Sequence, residues 1–196
     1  MKIIIIFAAI IFLSTGSVSG LEMLSDLVVN YGDFSYISAI SVGFDYVYFG
    51  TTNGIIRYKI ADHAWGDPLT GVAGLQGRQI KAITASPDDN YLWVRTEFGI
   101  FEYNNAINQW FPTNKIQAET GQAKHIRPNQ LYFPPPGYNY LEGGILADNE
   151  NKEYRLTDIV DDGWTNLWIG TWGGGLNRYD PSTESFTRYL TDPGVP

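Results

Sequence analysis

Apolar residues along this chain fall in short runs broken by turn residues, and helix-length amphipathic stretches are scarce. The clearest stretch is residues 156–190, LTDIVDDGWTNLWIGTWGGGLNRYDPSTESFTRYL. It reads as four strands: LTDIV, NLWIGT, GLNRY and SFTRYL. The breaks between them are turn chemistry, at Asp161-Asp162-Gly163, Gly173-Gly174 and Asp180-Pro181-Ser182. NLWIGT is almost continuously apolar, which suits a strand covered on both faces. A four-stranded antiparallel unit with a doubly buried middle needs neighbours above and below it.

The chain supplies those neighbours as copies. Residues 37–69 and 80–111 repeat the same order of features. Each has an apolar triplet: Val47-Tyr48-Phe49, Leu92-Trp93-Val94 and Leu167-Trp168-Ile169. Each then has a glycine-to-tyrosine run: Gly54 to Tyr58, Gly99 to Tyr103 and Gly175 to Tyr179. An aromatic closes each unit, at Trp65, Trp110 and Phe186. A weaker copy lies between, with Leu131-Tyr132-Phe133, Gly144-Ile145-Leu146 and Lys152 to Arg155. Four strands in about 40 residues is the repeat of a β-propeller blade. The expected fold is therefore all-β, a β-propeller of four-stranded antiparallel blades. The predicted units are residues 37–70, 80–114, a degenerate 124–155, and 156–190, within a propeller region of 37–196. Residues 21–36 are expected to lead in, or to close a blade with YGDFSY. Three clear units and one poor one predict a partial propeller, or a fragment of a longer protein. The run Pro134-Pro135-Pro136-Gly137 predicts a loop leaving the sheet over 134–140, since proline cannot donate to a ladder.

The last unit resembles the two-component regulator propeller repeat, found in the periplasmic sensor region of bacterial hybrid histidine kinases. The residues that carry the resemblance are Leu167 to Thr171, Gly174 to Pro181 and Phe186 to Tyr189; Leu92 to Tyr103 and Val47 to Tyr58 match more loosely. The resemblance implies ligand sensing for a two-component pathway. In the full-length family a membrane helix and a kinase follow the propeller; neither pattern occurs in these residues.

Composition narrows the function classes. The formal charge is −8 and no basic patch stands out, which argues against a nucleic-acid partner. Residues 1–20 have the three-part build of a secretory signal peptide: Met1-Lys2, an apolar run over 3–13, and a small polar tail. Cleavage is expected after Ser19 or Gly20, with an uncleaved anchor as the alternative. A periplasmic or secreted location follows from that reading, with no membrane span in the mature chain. The sequence has no cysteine, so disulfides and thiol catalysis are excluded. His63 and His125 show no metal-ligand spacing, so no metal and no cofactor are expected. Asp161 to Thr165 faintly resembles the Asp-box of sialidase-type propellers, and reads as a turn. No catalytic constellation is visible.

The turns between second and third strands should all fall on one side of the disc. They place Trp172, Phe98, Tyr138, Asn53 and Glu97 around one surface, where aromatics beside polar groups suit a glycan or peptide ligand. The reading is a secreted, non-enzymatic sensing or binding module. The alternatives are a propeller enzyme acting on glycans, either a glycoside hydrolase or a polysaccharide lyase, and a protein-interaction scaffold. Partners would be such a ligand, a protein, or a C-terminal kinase region.

Overall fold

The computed structural model describes residues 34–52, 54–69, 79–117, 124–127 and 136–190. The signal-peptide reading of residues 1–20, most of the lead-in segment and Asn53 lie outside them. The described residues are all-β, and no helix among them is long and apolar enough to cross a membrane. The first unit is the sheet β1 (Ala39–Val42), β2 (Tyr46–Gly50), β3 (Ile55–Lys59) and β4 (Ala64–Leu69), paired antiparallel in that order. The second is β5 (Ala82–Ala85), β6 (Tyr91–Thr96), β7 (Gly99–Asn104) and β8 (Gln109–Thr113), with the same topology. These two are four-stranded propeller blades, as the strand patterning predicts.

The remaining strands form one larger sheet. In chain order they are β9 (Lys124–His125), β10 (Tyr138–Leu141), β11 (Ile145–Asp148), β12 (Glu153–Asp161), β13 (Leu167–Trp172), β14 (Leu176–Asp180) and β15 (Ser185–Tyr189). The sheet runs β10 to β15 in sequence order, with β9 added alongside the end of β12. The join is β12. Its beginning pairs with β11, and its continuation pairs with β13. Arg155 and Leu156 are therefore consecutive residues of one strand. The weak third copy differs from a separate four-stranded blade: its last strand is the first strand of the fourth unit. The expected loop over 134–140 differs as well. Tyr138 to Leu141 pair with Ile145 to Asp148, so the chain has returned to the sheet within a residue of Gly137.

Blade stacking follows from where the apolar side chains point. One face of the first blade (Ile40, Val47, Phe49, Ile56) packs on Val160, Trp168 and Leu176 of the fourth unit. Its other face (Tyr48, Ile55, Leu69) packs on Ile83, Leu92 and Val94 of the second blade. The first blade is thus doubly covered. The first joint is dense in rings, with Phe49 and Tyr58 each about 5 Å from Trp168. Among the described residues no strand of the second blade contacts β10 or β11. The blades form an arc with the first in its middle.

A glycine near the end of the second strand permits the joint in the first and fourth units. A Cβ on Gly50 would lie 2.7 Å from Ile80 Cγ2, and one on Gly170 would lie 2.8 Å from Ile37 Cγ2. Ile80 and Ile37 precede β5 and β1, so each enters the next blade against a bare backbone. Arg95 occupies the equivalent position of the second blade and is exposed. The threonine that follows closes the turn in each unit: Thr51, Thr96 and Thr171 donate to the carbonyls of Gly54, Gly99 and Gly175.

Candidate functional site

The innermost strands β1, β5 and β12 lie side by side at the centre of the arc. β1 and β5 each have a ladder on one side only, so the other side needs different partners. Side chains of the neighbouring inner strands supply them. Ile40 N–H donates to Asp158 Oδ2 at 2.9 Å, and Ala85 N–H donates to Ser41 Oγ at 2.9 Å.

Where these strands begin, the centre opens into a cleft of about 400 Å³. Three blades contribute to its lining: Ser38 before β1, Gln79, Ile80 and Lys81 before β5, and Arg155 to Thr157 of β12, with Trp172 of β13. Local structure fixes each of them. Arg155 and Trp172 are cross-strand partners at the end of the β12–β13 ladder. One step later the register shifts, with Leu156 opposite Thr171 and Asp158 opposite Gly170. Thr157 is the extra residue of that bulge, a device that re-aims a side chain. Its hydroxyl donates to Ile37 O at 2.6 Å. Ser38 Oγ likewise donates to Gly50 O at 3.2 Å. Lys81 is held through its backbone N–H, which donates to Arg95 O at 2.8 Å.

Trp172 is the predicted site residue that this cleft contains. It is 38% exposed and meets Tyr36 edge-on, with ring centroids 5.0 Å apart. The segment before β1 holds it there. Tyr36 bridges to Trp172, Ser35 O accepts the Gly173 N–H, and Ser35 Oγ donates to Leu190 O. Phe34 to Tyr36, the described part of YGDFSY, therefore tie the first blade to the last unit, while β15 is the outer strand of that sheet.

The other predicted residues sit elsewhere. Glu97 and Phe98 are exposed in the β6–β7 turn, outside the cleft lining. Tyr138 is only 8% exposed on β10, packed against Tyr154 and under the Arg188 guanidinium. Burial pushes its phenol pKa up. Lys81, Arg155, Ser38 and Thr157 were missed because each is an ordinary polar residue at a strand start, and only the stacking of three blades brings them together. The Asp-box-like segment is a turn. Asp162 is buried and accepts from the Trp164, Thr165 and Asn166 N–H groups and from Trp168 Nε1. The described residues contain no group of three or more His, Asp or Glu placed to hold a metal.

No family model matches the chain, and no curated protein matches it. Several solved structures are similar. The extracellular domain of the putative hybrid two component system BT4673 from B. thetaiotaomicron is 18% identical, over 81% of this chain and 17% of that one, with a TM-score of 0.33. The β-propeller domain of Cps50 (Swd1) from Myceliophteria thermophila is 15% identical, over 81% and 57%, with a TM-score of 0.35. The RRP9 WD40 repeats are 10% identical, over 80% and 38%, with a TM-score of 0.35. The chain spans 17% of the length of the first of these. Its blades and their glycine-lined joints are those of a β-propeller.

Proposed function

We propose that this chain is a non-catalytic ligand-binding module, the sensing part of a signalling protein that works outside the cytoplasm. The observation that carries the reading is the axial cleft. Three blades meet there around an exposed indole and a few polar groups, the build of a small-molecule site. Its described lining holds no carboxylate, so the paired carboxylates of a glycosidase are not among those residues. The signal-peptide pattern of residues 1–20 and the two-component resemblance of the last unit support placement in an exported sensor.

Tryptophan fluorescence of the full chain, titrated with soluble mono- and disaccharides and short peptides, tests it. A saturable change is expected that disappears in Trp172→Ala while the fold persists by circular dichroism. Turnover of a polysaccharide by the wild-type chain would instead establish an enzyme.

A further inference from the structure

The cleft's polarity narrows its ligand, an inference that rests on the binding role proposed above. Lys81 and Arg155 come from different blades and both line the cleft, with no carboxylate in the described lining to neutralise either. Two cationic residues thereby line the axial cleft of a chain whose formal charge is −8. The hydroxyls beside them are committed in direction. Thr157 Oγ1 and Ser38 Oγ each donate to a backbone carbonyl, which has no proton to give. Each hydroxyl has one proton, so lone pairs are what it has left for the cleft.

We propose that the axial cleft binds a small hydroxylated carboxylate, an acid sugar of one ring. Its carboxylate sits between Lys81 and Arg155, where charge-assisted hydrogen bonds are strongest. Its ring O–H groups donate to Ser38 and Thr157, and one apolar ring face lies against Trp172. A neutral sugar meets the acceptors and the indole but leaves both cations unpaired. A free amino acid or dipeptide brings an ammonium group toward two positive side chains, so it is disfavoured.

The test is calorimetric titration of the full chain with D-glucuronate, D-glucose and diglycine. Glucuronate is expected to bind at least about tenfold tighter than glucose, with an affinity that falls as salt is raised. Lys81→Gln and Arg155→Gln are each expected to lower glucuronate affinity by about tenfold and to narrow its preference over glucose. Both side chains are exposed, so the variants should fold, and the salt series on the wild-type chain needs no variant. Equal affinity for glucose and glucuronate, abolished by Trp172→Ala, would overturn the acid-sugar assignment and leave the binding role standing. Diglycine binding tighter than glucuronate would overturn it as well. Heat from none of the three would sink the acid sugar and, with a silent fluorescence panel, the binding role too.

Discussion

At the scale of single residues, the joint between the first two blades turns on one carboxylate. Asp89 belongs to the β5–β6 turn of the second blade, with φ of 56°, and reaches back to the first. It accepts from the Asp45 N–H and from the Tyr48 hydroxyl. Gly43 makes room, since a Cβ there would collide with the Asp89 carboxylate. Burial raises the Asp89 pKa from its ordinary value, against the lowering effect of the donors around it. The Tyr48 phenol is also driven up, by burial first and then by the charge of Asp89. A carboxyl whose folded pKa exceeds its unfolded one binds its proton more readily in the folded chain. Its contribution is fully present below the unfolded value of about 3.9 and is lost as pH rises through the folded value. Asp89→Ala leaves the Tyr48 hydroxyl and the Asp45 N–H without that acceptor, at a cost of about 1–3 kcal/mol. In urea denaturation the wild-type advantage over this variant should widen as pH falls from neutral toward the ordinary aspartate range. An advantage that shrinks over that interval would contradict the assignment.

At the scale of elements, β12 and its glycine partner decide whether the cleft forms. The bulge at Thr157 sits directly over Gly170, and a Cβ on Gly170 would lie 3.0 Å from Thr157 Oγ1 as well as 2.8 Å from Ile37 Cγ2. Gly170→Ala must therefore displace the bulge or the entry to β1. The expected cost is about 1–3 kcal/mol, as for other overpacked sites. The same substitution should weaken any ligand held at Thr157 and Trp172, and a thermal melt beside a titration reads both. An unchanged melting temperature would mean that the joint is looser than the contacts indicate. The sequence made much of this scale legible. The triplets of alternating and continuous apolar residues marked β2, β6 and β13, and the glycine-to-tyrosine runs marked β3, β7 and β14. What the sequence concealed was continuity. Arg155 and Leu156 read as the end of one copy and the start of another, because local patterning carries no information on which partner a strand leaves and which it joins. The cleft was hidden for the same reason. Trp172 stood out by residue type, whereas Lys81 and Arg155 acquire meaning only when β5 and β12 flank β1.

For the whole molecule, the arc sets a gradient of stability. In a repeat architecture each unit is held mainly by its neighbours. The first blade has two, the fourth unit with its ring cluster on one face and the second blade on the other. Its β1 has a ladder with β2, and at its free side Ile40 N–H is held by Asp158 while Ser41 Oγ accepts from Ala85 N–H. Opening β1 therefore requires two joints to separate. β8 and β10 end their sheets, each with one strand partner among the described residues. Releasing either disturbs one ladder and leaves the joints intact. Hydrogen exchange by mass spectrometry should accordingly find the slowest amides in peptides covering residues 39–50 and the fastest strand amides in 109–113 and 138–141. The separation should amount to a few kcal/mol of opening free energy, roughly a hundredfold or more in rate. A ligand bound at the axis touches the starts of all three inner strands, so it should slow exchange in residues 38–42, 80–85 and 155–160 together and leave β8 unchanged. Protection confined to one of these strands would show that the ligand sits on a single blade. Protection of all three would show that the ligand binds at the propeller axis, in contact with three blades at once.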